Sequence, residues 1–193
     1  MLEAPQSLKR FSGPPILCAG LFKSPAAAQL ESVIVKCRAS HAAYFPKHRD
    51  ATILMTETVE SLPCLKELIF EDGVLPLYGI DYPQIGKILR AAPALVRAQL
   101  GCLELELDPD KLNWLFEHSP QLEVLYVRSG RNKPASGELW KTLGPVALKL
   151  KEACPRLRQM SVAYPGCEEA STITWMNGAS TPSLGLKPFY PVL

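Results

Sequence analysis

The residues able to do chemistry are few and scattered. The three histidines are His41, His48 and His118. His41 and His48 stand seven apart in the polar stretch 36–50, with Tyr44, Phe45 and Pro46, and read as a loop pair poorly spaced for a metal. His118 falls at the C-terminal end of an expected helix, where the helix dipole favours a cation. Cysteines occur at 18, 37, 64, 102, 154 and 167, with no Cys-x-x-Cys, and read as free thiols rather than disulfides. Cys64, Cys102 and Cys154 fall beside expected strand starts, where a small apolar side chain packs. Asp108-Pro109-Asp110 reads as a helix cap rather than a carboxylate pair. No nucleophile elbow, Walker loop, dinucleotide fingerprint or His-Glu-x-x-His occurs. The expectation is a chain with no catalytic residue, no cofactor and no metal. The alternative is a small α/β enzyme with a Cys nucleophile, which would have to bring a pair such as Cys64 and His118 together in space.

The elements that would position these residues are written in prolines. The chain has 193 residues, 47% of them apolar and 21% charged, an ordinary composition for one domain with a real core. Its 18 prolines are the departure, against a usual share of about 5%. Four of them share the pattern Pro-x-Leu: Pro63-Cys64-Leu65, Pro93-Ala94-Leu95, Pro120-Gln121-Leu122 and Pro155-Arg156-Leu157. Looser copies run from Pro5 to Leu8 and from Pro25 to Leu30. Proline ends the preceding helix, because it lacks the N–H and disfavours helix at the residue before it. A short strand with Leu-x-x-Leu-x-Leu spacing follows. It reads Leu30/Val33/Val35, Leu65/Leu68/Phe70, Leu122/Leu125/Val127 and Leu157/Met160/Val162, with Leu8 and Phe11 filling two of three places. The third strict unit is ambiguous between 95–100 and 102–107. The clean alternation of Leu103, Leu105 and Leu107 favours 102–107.

Helix-sized stretches separate the strands: Pro14 to Ser24, Asp50 to Leu62, Pro83 to Ala92, Pro109 to about Phe116, and Glu138 to Cys154. Gly144-Pro145 should kink or split the last. Strand, helix and strand recurring every 20–38 residues predict an α/β leucine-rich-repeat-like solenoid of irregular repeats. Parallel strands would line its concave face and helices its convex face. About six repeats would fill residues 1–163. Residues 164–193, with alternation over 171–176 and a turn at Asn177-Gly178, would form a C-terminal cap and loose tail.

The junctions Lys151-Glu-Ala-Cys154-Pro155-Arg-Leu157 and Glu117-His-Ser119-Pro120-Gln-Leu122-Glu-Val-Leu125 resemble the irregular leucine-rich repeats of F-box proteins, particularly the large fungal set. The resemblance covers roughly residues 2–163. It implies a non-enzymatic protein-interaction module, the substrate-recognition part of a cullin-based ubiquitin ligase receptor. No segment reads as the helical F-box that recruits the ligase adaptor, so the resemblance is to the repeat half. A further alternative is a truncated repeat fragment with no independent function.

Charge and hydropathy narrow the partners. Residues 1–50 carry seven basic and three acidic groups, 51–127 five and twelve, and 128–160 eight and two. This is not the continuous basic face with interleaved aromatics of a nucleic-acid binder. No apolar run approaches the ~18 residues that span a bilayer, and the first ten residues do not read as a signal peptide, so a cytoplasmic or nuclear location is expected. Strand alternation places Ser32, Ile34 and Lys36, then Glu67, Ile69 and Glu71, then Glu104, Glu106 and Asp108, then Val124, Tyr126 and Arg128, then Gln159 and Ser161 on the open face. The two central strands would then show five carboxylates beside an apolar and aromatic anchor. Such a patch suits a protein partner offering a basic peptide or loop.

Overall fold

The computed structural model describes residues 8–36, 45–71, 82–176 and 182–188. They form an open α/β structure around one eight-stranded sheet, with strands in sequence order: β1 Arg10–Gly13, β2 Ser32–Lys36, β3 Glu67–Glu71, β4 Arg97–Leu105, β5 Val124–Ser129, β6 Gln159–Ala163, β7 Glu169–Thr174 and β8 Ser183–Pro188. β1 to β6 are parallel, and β7 and β8 are each antiparallel to the strand before. The helices are α1 Pro15–Phe22, α2 Phe45–Thr58, α3 Tyr82–Ala91, α4 Pro109–Phe116 and α5 Leu139–Ala153. Each helix packs on the next, so all five form one layer over one face of the sheet.

The proline junctions recur as one hydrogen-bonded device. Leu65 N–H donates to the Leu62 carbonyl at 3.1 Å, Leu95 to Ala92 at 3.1 Å, Leu122 to Ser119 at 3.1 Å and Leu157 to Cys154 at 2.9 Å. Proline takes the second place of each turn, where its fixed φ is pre-set and its missing N–H costs nothing. Just beyond each turn, two successive N–H groups reach one carbonyl of the preceding unit. Lys66 and Glu67 donate to Glu31, Val96 and Arg97 to Lys66, Glu123 and Val124 to Val96, and Arg158 and Gln159 to Glu123, all at 2.8–3.1 Å. Glu31 and Ser32 donate to Lys9 in the same way, but after a 3-10 turn over Pro25–Gln29. The repeat is therefore backbone geometry as well as spelling.

The core follows the expected leucines. Leu30, Val33, Val35, Leu65, Leu68, Phe70, Leu122, Leu125, Val127, Leu157, Met160 and Val162 are all buried and join one cluster with the inner faces of the helices. Leu8 and Phe11 pack against its edge. Asp108 caps α4, its Oδ1 accepting from the N–H groups of Asp110 at 3.0 Å and Lys111 at 2.9 Å. Such a cap contributes about 1 kcal/mol.

Four expectations need correction. The ladder strand of the third strict unit is Arg97–Leu100, which pairs with both β3 and β5; the register then shifts, and among the described residues Glu104–Leu105 pairs with β5 alone. Its inward set is Leu95, Ala98 and Leu100, the same phase as the other units, with alanine where they carry a longer side chain. α2 begins at Phe45 rather than Asp50, with Pro46 near the helix start where its missing N–H is harmless, so His48 belongs to a helix. α5 is one helix through Gly144-Pro145, so the pair does not split it. Pro145 is on the exposed side, where water can serve the carbonyl left without a donor, and a Cβ at Gly144 would stand 3.0 Å from the Trp140 ring stacked over it. Finally, Cys64 occupies the third place of its turn and is exposed, whereas Cys154 is buried as expected.

Residues after 163 do not form a separate layer: β7 and β8 extend the same sheet. The chain reverses after β6 at Tyr164-Pro165-Gly166-Cys167, where Cys167 N–H donates to the Tyr164 carbonyl at 3.2 Å and Gly166 takes φ +70°. Only glycine adopts that angle without cost in the third place of such a turn. Pro5, Cys37, His41 and Asn177-Gly178 lie outside the described residues.

Candidate partner-binding face

The face opposite the helices carries side chains in registered rows. One row runs Ser32, Glu67, Arg97, Val124 and Gln159 across β2 to β6, and the next runs Ile34, Ile69, Gln99, Tyr126 and Ser161. Parallel pairing with one shared phase is what aligns them, since each strand sends alternate residues to the helix layer. Glu67 anchors the first row. Ser32 Oγ donates to its Oε2 at 2.7 Å, and Arg97 Nη1 approaches its Oε1 at 3.5 Å. In the second row Ile69 and Gln99 are buried although they face away from the core cluster. Ser161 Oγ lies 3.0 Å from Thr172 Oγ1 of β7 and accepts from Gln159 Nε2 at 3.2 Å.

The expected residues distribute unevenly over this surface. Glu67, Ile69 and Glu71 of β3 and Val124, Tyr126 and Arg128 of β5 lie on it. Glu104 stands in register with Arg128, beyond the shift in β4. Glu106 and Asp108 are past the strand end and do not join the rows. Asp108 is the α4 cap, and Glu106 is held by Lys111 and by Arg131 Nη2 at 2.9 Å. Two residues absent from the expected set, Arg97 and Gln99, take the central places instead. The middle of the face is thus of mixed charge rather than acidic: Glu67 is paired with Arg97, and Val124 and Tyr126 adjoin them. Applying the phase Pro+2, +5, +7 to Pro93 points to them directly, because it turns Leu95, Ala98 and Leu100 inward and Arg97 and Gln99 outward.

A second charged column borders the rows at the residue before each strand. Lys9 Nζ meets Glu31 Oε1 at 2.8 Å, and Lys66 Nζ meets Glu31 Oε2 at 3.1 Å. Hydrogen bonds from Lys9 and then Lys66 hold the Glu31 carboxyl down at about 2. Further along, Arg158 Nε lies 3.8 Å from Glu123 Oε2. These pairs neutralise one another across neighbouring units.

His118 lies beside Glu117, its Nε2 3.3 Å from Oε1, at the end of α4. Burial pushes the Cys154 thiol up to about 12, which keeps it protonated and unreactive. Among the described residues no group of three His, Cys, Asp or Glu could hold a metal ion, and no helix is long and apolar enough to cross a membrane. No family model matches the chain, and no curated protein matches it.

Proposed function

We propose that this protein is a non-enzymatic interaction module built as a leucine-rich-repeat-like solenoid, which binds a protein partner across the open face of its parallel strands. One observation carries the reading. Five successive strands align two rows of outward side chains; Ser32, Ile69, Gln99 and Ser161 in them are buried, and Glu67, Arg97, Val124 and Tyr126 stand side by side with surface left to meet a partner. A half-buried tyrosine beside an aliphatic residue and an arginine is the composition of an interface anchor. The neutralised charge favours a partner segment carrying both signs around an apolar side chain, rather than a purely basic peptide. The repeat junctions further support a role as the recognition half of an F-box-type ubiquitin ligase receptor.

The test is quantitative affinity capture with mass spectrometry, comparing the unaltered protein with Tyr126→Ala, Arg97→Glu and Glu106→Lys. The reading expects a reproducible partner that Tyr126→Ala and Arg97→Glu weaken at least about tenfold, the scale of a hot-spot residue. Glu106→Lys, outside the rows, leaves that partner in place. Co-purifying cullin-ligase subunits would support the receptor role. Partners indifferent to both row variants would overturn the face as the binding site.

A further inference from the structure

The two ends of the sheet are complementary. At one end, β1 is paired only on its β2 side among the described residues. Lys9 and Arg10 occupy the places whose N–H groups, in every later unit, donate to a carbonyl of the unit before, and no described residue accepts from them. Above this edge lies α1, Pro-Ile-Leu-Cys-Ala-Gly-Leu-Phe, which is apolar all round. A helix of that composition belongs between two neighbours, yet α2 is the one described α-helix packed on α1, beside the short 3-10 turn Pro25–Gln29 that follows it. Leu17 is 56% exposed and approaches β1, its Cδ1 3.9 Å from where a Cβ of Gly13 would stand. Phe11 and Leu21 complete the flank, only partly buried against the core.

At the other end, β8 is antiparallel to β7, which is antiparallel to β6. β8 therefore runs in the same direction as β1 to β6. Leu184 and Leu186 stand in register with Ile173 and Ser171, on the helix side of the sheet. They are 36% and 53% exposed. So one end offers a strand edge in the parallel sense with uncovered leucines on its helix side. The other offers a parallel edge whose donors no described residue accepts, under an apolar helix flank.

We propose that a second copy of this chain occupies each end: β8 of one molecule pairs in parallel with β1 of the next, and Leu184 and Leu186 pack under Phe11, Leu17 and Leu21. The joint reproduces the strand-to-strand and helix-to-strand contacts found inside each molecule. It is head-to-tail, so each copy retains one free end, and association continues into open chains unless the rotation closes a ring.

Sedimentation velocity over a concentration series tests this on the full chain. The mean mass should rise with concentration past that of a dimer. Leu17→Lys and Leu186→Lys alter exposed side chains at opposite ends, and unchanged thermal unfolding verifies that each folds. Each alone should hold the protein at the monomer mass, because every joint then contains one altered side. An equimolar mixture has one intact joint, Leu186 of the first variant's molecule against Leu17 of the second's, and should give dimers and nothing larger. A protein that stays monomeric at every concentration overturns the proposal. So does a dimer that Leu17→Lys abolishes but Leu186→Lys leaves intact, which would be a two-fold pairing of β1 edges, or a mixture that stays monomeric.

Discussion

Ser119 begins the third of the four proline turns and is completely buried, with its Oγ finding no partner. The same place is taken by Leu62, Ala92 and Cys154 in the other turns. Ala92 demonstrates that alanine fits the turn, so the hydroxyl contributes only its desolvation cost. Ser119→Ala should therefore stabilise the protein by about 1 kcal/mol, the low end for freeing a fold of an unsatisfied buried polar group; urea denaturation with an unchanged m-value is the measurement. Cys154 and Cys64 differ by the same geometry. Cys154 starts its turn, is buried, and donates to the Phe116 carbonyl at 3.6 Å, whereas Cys64 is two places along and exposed. Native-state alkylation read by mass spectrometry should modify Cys64 rapidly and leave Cys154 untouched until unfolding; equal rates would contradict that burial. Glu31 carries much of the pH dependence, with Glu106, which the hydrogen bond from Lys111 also holds below the usual carboxylate range. The Glu31 carboxyl is held at about 2 in the folded chain, well below the ordinary carboxylate range, so the ion pairs' contribution is complete above about 4.5 and fades as pH falls towards 2. Glu31→Gln should flatten the acid limb of the stability profile, and added salt should shrink the difference between the two proteins, because the pairs are solvent-accessible.

At the scale of elements, what could be read in advance depended on which signals are local. The four strict proline turns, the strand leucines of 30–35, 65–70, 122–127 and 157–162 and the Asp108 cap are set by a few neighbouring residues, and they stand where spacing predicts. The failures share a different cause. Ala98 masks β4 in the sequence, because it breaks the leucine pattern while Leu103, Leu105 and Leu107 offer a cleaner alternation just downstream. Only pairing with β3 on one side and β5 on the other selects Arg97–Leu100, and that information is not local. The same shift puts Arg97 and Gln99 in the rows, where the alternation of 102–107 alone would place carboxylates. α5 likewise tolerates Pro145 because of where that residue points, which a helical propensity cannot report. Ala98 has a testable meaning. It lies in register between Leu68 and Leu125, all three buried. If the alanine is matched to the packing of α3 and α4 above it, restoring the repeat leucine is overpacking. Ala98→Leu should cost about 1–3 kcal/mol, and Leu125→Ala about 2–5 kcal/mol. Equilibrium unfolding reads both. An Ala98→Leu variant more stable than the parent would mean that a void was there to fill.

For the molecule as a whole, the consequence of sequential strand order is that each unit leans on its neighbours. β3, β4 and β5 are flanked by strands on both sides and roofed by helices that contact one another, whereas β1 and β8 have one described partner each. Stability in such an array is close to a sum of unit terms and nearest-neighbour terms, so it should grade from the centre outwards instead of being uniform. Amide hydrogen exchange in the monomer should therefore be slowest in β3 to β5, at residues such as Phe70, Leu100 and Val127, and fastest in β1 and β8. Leu125→Ala sharpens the test, because it weakens one unit without touching the ends. Exchange should accelerate in β5 and in its neighbours β4 and β6 before it changes in β2. If the variant accelerates all strands equally, the sheet opens as one cooperative body. The proposed head-to-tail joint predicts the complementary change: at concentrations where chains associate, β1 and β8 gain protection while β3 to β5 keep theirs, because association supplies the end strands with the second neighbour that the central strands already have.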